Sequence, residues 1–585
     1  METKYSNQKN VLILIKLLKE HGIKKIVASP GTSNMPLVAS VQQDDFFEVY
    51  SSVDERSAAY IACGMAAEKN EPVVITCTGA TASRNYMSGL TEAFYRKLPI
   101  LAITSTQDIS RLGQNAPQLI DRRVIPNDIA KMSIHLPNIY TLSEERNYAV
   151  LINSAILELT RNGGGPVHIN LTIADGRKDY DITELPNVNV ISRISNRDVF
   201  PELPNGKIGI YVGSHNVWSK KLTKNVEEFC RKFNAVVLVD NISNYKGDYA
   251  VFSNIVTYQG KRNRNVTHMD LLIHIGDIVG TDFQGLEYDV VWRVNPDGEV
   301  RNTFGKLKHV FEMEEYEFFE YYVKNHCSFD IKNSYIKLWN NEIKEVRSKI
   351  SELPFSNIWI AQKTANKLPK NSVIHFAIQN SLRCWNFFET DKSISGFCNT
   401  GGFGIDGNLS SMIGASIVSP DKLFYCVIGD LAFFYDMNVL GNRHILNNVR
   451  IILINNNGGQ QFRNYDSSGY QFGSDVNKYM AASGHYGNSS KTLVKNYVQS
   501  LGFKYLKAEN KEEYLSIVDE FVSKKLTKQP MLLEIFVGEE NERNAMDKIT
   551  HLKMTNLHKK KIILTNIIGE KKVKKIEKII NKFDS

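Results

Sequence analysis

Short apolar bursts alternate with helical patterns along almost the whole chain, and this alternation limits the fold more than any other feature of the sequence. Strands are read at 26–29, 72–77, 100–104 and 166–171, then at 207–212, 235–239 and 271–275, and finally at 372–377, 423–428, 450–454 and 531–536. Strands that alternate with helices predict parallel sheets covered on both faces, a doubly wound α/β architecture. A chain of 585 residues is too long for one hydrophobic core. A polar stretch near 178–205 reads as a linker, and a charged helical segment at about 333–352 precedes the last group of strands. Three α/β domains are therefore expected at 1–180, 190–330 and 345–545, with a Lys-rich tail at 550–585.

Composition excludes several classes. No run of about 18 apolar residues occurs, so no membrane span is expected. The opening METKYSNQKN is polar and has no signal-peptide core. Seven scattered cysteines without a Cys-x-x-Cys pair fit reduced thiols in a cytoplasmic protein and imply no structural zinc. The net charge of +8 is concentrated in the tail, where Val573, Ile576, Ile579 and Ile580 recur at helical spacing among lysines. A solvated amphipathic helix is the favoured reading of the tail, ahead of an anionic membrane or a nucleic acid.

Parallel sheets bind ligands at the carboxyl ends of their strands, and the unusual residues lie there. Pro30-Gly31 follows the first strand, Gly429-Asp430 follows 423–428, and Asn455–Gly459 follows 450–454. A diphosphate needs charge neutralisation, which Mg²⁺ supplies by bridging a carboxylate to phosphate oxygens. Asp430 offers the carboxylate, Asn456 a neutral oxygen 26 residues on (456 − 430), and a backbone carbonyl near Gly458 a third ligand.

That spacing, Gly-Asp followed about 25 residues later by Asn-Asn-x-Gly, resembles the signature of thiamine-diphosphate enzymes. GDLAFFYD and NNNGGQ resemble the menaquinone-pathway synthases that add a succinyl semialdehyde unit to isochorismate. Val53-Asp54-Glu55-Arg56, the small-residue helix after it and CTGATASRN are similar to further motifs of that family. The resemblance implies that Glu55 activates the cofactor through its pyrimidine ring, that Thr81 and Asn85 lie near the reactive end, and that Gln118 faces the reacting centre. It implies that Ile405, in GFGIDG, wedges between the cofactor rings, and that Ser381 lies by the diphosphate. Gly31, Gly429, Leu431, Ala432 and Gln460 complete the implied cofactor contacts. His485, in GHYGN, is a candidate acid–base group, set against the reading of a solvated loop histidine. The family further implies pyrimidine-binding, central and diphosphate-binding domains. It also implies a homodimer or homotetramer in which Glu55 of one subunit meets the cofactor held by Asp430 and Asn456 of another. The resemblance covers about 10–540 and is weak in the middle, where GIYVGSHN lacks a dinucleotide fingerprint.

The chain departs from the family where substrates are held. Four family arginines are replaced, by Ser33 in PGTSNMP, Gln107 in TSTQD, Trp385 after Asn-Ser-Leu, and Thr400 in NTGGFGIDG. Arginine pairs bidentately with carboxylates, and no replacement residue can do so. Arg383, Trp385 and Arg463 are expected to take over substrate contacts. The expected activity is decarboxylation of a 2-oxo acid and transfer of the aldehyde equivalent to an acceptor other than isochorismate, with a carbohydrate or nucleotide sugar as one guess. The alternatives are a simple decarboxylase resembling the phosphonopyruvate enzymes, and the menaquinone-pathway reaction itself. A non-catalytic scaffold is disfavoured by the retained Glu55, Asp430 and Asn456.

Overall fold

The structure, a computed structural model, describes residues 3–174, 179–280, 283–328, 334–484 and 490–554. The chain forms two compact units. One takes Met1–Phe200 with Val291–Met313, and the other takes Pro201–Val290 and the chain from Glu314 onward. These units do not follow the three expected blocks, because the strands of the 190–330 block are divided between them.

In the first unit six strands, β1 (Lys25–Ala28), β2 (Glu48–Ser51), β3 (Val73–Cys77), β4 (Ile100–Thr106), β5 (Met132–Leu136) and β6 (Val167–Thr172), form one sheet in the order β2-β1-β3-β4-β6-β5. All its ladders are parallel. Every residue of β3, β4 and β6 is buried, which is why these strands read as unbroken apolar runs. Helices cover both faces. Helix α1 (Lys9–Glu20) and helix α4 (Leu142–Glu158) bury Val11, Leu14, Ile152 and Ile156 against one face. Helix α2 (Glu55–Lys69) lays Ala58, Ala59, Ala62 and Ala66 on the other. Its small side chains follow from close packing: a Cβ at Gly89 would stand 2.4 Å from that of Ala59. Strand Leu307–Glu312 pairs in parallel with Ser192–Ser195, and Arg161 joins this part through an ion pair to Glu299 at 2.7 Å.

In the second unit Ile208–Val212 lies between Ala235–Val239 and His268–Ile275, all parallel. A further sheet holds β7 (Val373–Phe376), β8 (Ser395–Cys398), β9 (Phe424–Gly429), β10 (Val449–Asn455), β11 (Lys504–Ala508) and β12 (Met531–Phe536) in the order β8-β7-β9-β10-β12-β11, again wholly parallel. This repeats the topology of the first sheet strand for strand. Asn241 couples the two parts of this unit, donating from its backbone N–H to Asn386 Oδ1 at 3.0 Å and from its side chain to the Trp385 carbonyl at 2.9 Å. Among the described residues no helix is long and apolar enough to cross a membrane. Tail residues 555–585 lie outside the described residues.

Candidate active site

In the second unit β9 ends at Gly429, whose extended backbone hands the chain to helix α6 (Asp430–Asp436). Asp430 is 2 % exposed. Its Oδ1 accepts from Leu431 N–H at 2.7 Å and its Oδ2 from Gly458 N–H at 2.9 Å, so the strand ends of β9 and β10 meet at this carboxylate. Burial pushes the Asp430 carboxyl up to about 6, opposed by those two N–H bonds and by the Arg463 charge. Asn456 Oδ1 is buried without a hydrogen-bond partner among the described residues. A buried carboxylate beside an orphaned amide oxygen is a donor set suited to Mg²⁺. Gly458 has φ +135°, and a Cβ there would stand 2.5 Å from the Ala481 carbonyl, so only glycine fits the turn. Gln460, next along, is 4 % exposed and donates to Asn464 at 3.2 Å. Leu431 and Ala432 line the start of α6, and Ser381, 4 % exposed, lies in helix α5 (Asn380–Trp385).

Arg463 corrects its expected role. It is 1 % exposed and turned inward, donating to the carbonyls of Asn456 at 3.0 Å and Asn457 at 2.8 Å, to Asn477 Oδ1 at 2.8 Å and to Ser483. It clamps the backbone of the Asn456–Asn457 loop and turns away from solvent. Trp385 is likewise no substrate wall: it is fully buried, donates to Asn357 Oδ1 at 3.2 Å and packs on Phe376. Arg383 donates to Gln461 Oε1 and lines a cavity of about 240 Å³ with Tyr465 and Arg543. Thr400 is buried and donates to Ser214 Oγ at 3.2 Å. Ile405 packs half-buried on the core beneath β9. His485 lies outside the described residues.

In the first unit Glu55 opens helix α2. Asp54 caps that helix, accepting from the N–H groups of Arg56 and Ser57 at 3.3 and 3.1 Å. Glu55 is half-buried, and its Oε2 accepts from Asn85 Nδ2 at 3.1 Å, which brings two of the expected residues together. Asn85 ends the short helix α3 (Thr81–Asn85). Ala80, just before Thr81, has φ +53° and ψ −126°, a strained conformation for a residue with a Cβ. Gln379 adopts nearly the same angles, φ +67° and ψ −122°, just before Asn380. Gln118 also has positive φ, +58°, and its carbonyl would lie 3.2 Å from a Cβ at Gly79. Gln107 spends its amide within the chain, donating to the Pro117 carbonyl and accepting from Arg111. Ser33 bonds Thr78, and Gly31 packs against the same threonine, where a Cβ would stand 2.8 Å from its Cβ. Gly31 also lines a cavity of about 570 Å³ with Asn34, Met35 and Phe47.

Two buried glutamates near the ends of β9 and β10 escaped the sequence reading. Glu534, fully buried in β12, accepts from Asn455 at 2.8 Å and from the Tyr505 hydroxyl at 2.9 Å, and burial raises its pKa. Glu542, in helix α7 (Glu539–Thr550), accepts from Asn357 N–H at 2.7 Å, and burial pushes it up to about 7. The signal was a glutamate inside the apolar run MLLEIF.

Residues 11–124 match the family model described as thiamine pyrophosphate enzyme, N-terminal TPP binding domain, and residues 379–535 match its C-terminal TPP binding domain counterpart. The 2-succinyl-5-enolpyruvyl-6-hydroxy-3-cyclohexene-1-carboxylate synthase of Phocaeicola vulgatus is 31% identical over 571 residues, 94% of this chain and 99% of the relative. That of Bacteroides thetaiotaomicron is 30% identical over the same shares, and that of Christiangramia forsetii 29% identical over 91% of this chain and 96% of the relative. The chain therefore belongs to the thiamine pyrophosphate enzymes, in the same family as the 2-succinyl-5-enolpyruvyl-6-hydroxy-3-cyclohexene-1-carboxylate synthases.

Proposed function

We propose that the protein decarboxylates a 2-oxo acid and transfers the resulting aldehyde equivalent to an acceptor, forming a carbon–carbon bond, and that this acceptor is not isochorismate. Bound thiamine diphosphate supplies the nucleophilic carbon and the electron sink for this chemistry. Asp430 and Asn456, with a backbone carbonyl near Gly458, would hold Mg²⁺ for the diphosphate. Glu55 would serve as the acid–base group for the pyrimidine, its carboxylate oriented by Asn85 through the 3.1 Å bond. Gln118 faces the reacting centre. The reading includes a cytoplasmic homodimer or homotetramer in which Glu55 of one copy serves the cofactor held by Asp430 of another.

The observation that carries the change of acceptor is the set Ser33, Gln107, Trp385 and Thr400 at four positions where the family has arginines. In this fold Gln107, Trp385 and Thr400 turn their polar atoms to neighbours in the chain, as does Ser33. No guanidinium remains at those positions to fork onto an acceptor's carboxylates. The test is CO₂ release from a panel of 2-oxo acids with thiamine diphosphate and Mg²⁺, Glu55→Gln serving as the control. The productive donor is then paired with acceptors, isochorismate among them. Release lost in the variant, with product formed from another acceptor, supports the reading. A second reading, the reaction named for the relatives, is favoured by the 94% coverage. Adduct formation from 2-oxoglutarate and isochorismate would establish it and remove the arginine argument.

A further inference from the structure

Arg122 lies in the first unit, four residues after Gln118, and is 3 % exposed. Its Nη2 donates to the Ser105 carbonyl at 2.8 Å, while Nε and Nη1 are buried with no hydrogen-bond partner among the described residues. The titratable groups that bear on it are the Cys77 thiol, which burial pushes up to about 12 and so keeps neutral, and a second cation, Arg84, with no carboxylate among them; burial drags the Arg122 pKa down to about 10. A guanidinium stays protonated even so. The fold thus holds a cation away from water with neither a counter-charge nor a full set of acceptors, an arrangement that is strongly unfavourable unless something neutralises it.

The surroundings fit such a partner. A cavity of about 20 Å³ is lined by Arg122, Arg84, Thr104 and His168, with Met87, Leu90 and Ile129 among its apolar walls. Arg84 is anchored by a bond from Nη2 to the Asp121 carbonyl at 3.2 Å. His168 stands 2.7 Å from Thr104 Oγ1 and 2.8 Å from Ser133 Oγ. Burial, followed by the charges of Arg122 and Arg84, pushes it down to about 3, so it is neutral at physiological pH. The space suits a body about the size of one water molecule. Two guanidinium groups, the hydroxyls of Ser83, Tyr86 and Thr104, and a neutral imidazole, with no acid on the wall, select for negative charge.

We propose that this cavity binds a compact monoanionic group of halide size, held by Arg122 with Arg84 as second cation. The site lies directly behind the turn that leads to Thr81: a Cβ at Gly79 would stand 3.6 Å from Arg122 Nη2 and 3.2 Å from the Gln118 carbonyl. Filling it neutralises Arg122 and firms the Gly79–Thr81 turn. Space for one water leaves room for a halide ion and none for the carbon skeleton of a carboxylate, so the anion is a halide from solution and pyruvate serves as the size control.

The test uses the full-length protein in a chloride-free gluconate buffer. Sodium bromide or sodium pyruvate replaces gluconate at constant ionic strength while the unfolding midpoint is followed. The expected result is a saturable rise in midpoint, and an anomalous bromine peak in contact with Arg122 Nε or Nη1 in bromide-grown crystals. Arg122→Gln, which keeps a donor for Ser105, loses both. A rise with bromide alone assigns the site to the halide; an equal rise with pyruvate shows that the anions act elsewhere and overturns the proposal. If Arg122→Gln does not fold, the bromine peak in the unaltered protein decides. No rise with either anion and a density-matched water at Arg122 overturn the proposal.

Discussion

The two six-stranded sheets share one strand order and differ in how they treat a carboxylate. The first presents Glu55 half-exposed at the start of a helix, within reach of Asn85. The second buries Asp430 at a strand end and surrounds it with backbone N–H groups, an arginine clamp and two further buried carboxyls. A group that hands a proton to a ligand must be reachable. A group that holds a metal gains from being fixed in a dry site, where an ion's charge is poorly screened. On the proposed reading, one topology serves two kinds of chemistry through the turns and helix starts at its strand ends, not through the sheet itself.

The sharpest way to break that division is to remove each carboxylate. Glu55→Gln is expected to lower kcat by ~10²–10⁴-fold, the usual range for losing an acid–base group, while cofactor affinity stays within a few-fold. Asp430→Asn is expected to abolish Mg²⁺-dependent cofactor binding, read by calorimetry. If Glu55→Gln loses cofactor as completely as Asp430→Asn, the division of labour is wrong.

The second test is pH. Burial favours the protonated Asp430 carboxyl in the metal-free fold. Its contribution to metal-free stability is fully present below the ordinary carboxylate value and is lost as pH rises through about 6. Mg²⁺ needs the ionised form, so its affinity is expected to fall by about tenfold per unit as pH drops below that value. Fluorescence titration across pH 5–7.5 (an assay range of about 2.5 units) reads the slope, and a flat profile would detach Asp430 from the metal.

A smaller effect is expected at the clamp. Arg463→Met removes the guanidinium donors from the Asn456 and Asn457 carbonyls. It should cost about 1–3 kcal/mol in urea unfolding and weaken Mg²⁺ by ~10–100-fold, as second-layer contacts do. Equal Mg²⁺ affinity in the variant would return Arg463 to the residues free to meet substrate. The smallest effects concern the matched turns. Ala80→Gly and Gln379→Gly each relieve positive-φ strain but loosen the unfolded chain, so each should change stability by no more than about 1 kcal/mol. Unequal shifts in thermal unfolding would show that one sheet stores more strain than its counterpart.

The alternation of apolar bursts was enough to find the central strands of both sheets, because strands buried on both faces carry continuous Val, Ile and Leu. The edge strands escaped. Glu48–Ser51 and Lys504–Ala508 are half-exposed and mixed in composition, so nothing separates them from loops before their neighbours are known. Asp430, Asn456 and Gly458 stood out because they punctuate strand ends. Arg463 and Trp385 misled for a common reason. A cation after a metal loop and an aromatic after a ligand motif look like hands held out to substrate, and only contacts show that both point inward. The shared strand order was invisible, since parallel pairing leaves no local trace of which strand lies beside which.

Arg463 has one more consequence. Because it grips two consecutive carbonyls of the loop, the chain's share of the proposed coordination shell is shaped before any ion arrives. Capture of the cation then requires little rearrangement of the protein, and the slow event becomes the shedding of water by the ion. Exchange kinetics should therefore rank with the lability of each cation's own hydration sphere, sluggish for Mg²⁺ and quicker for the larger Mn²⁺ and Ca²⁺, whatever their final affinities.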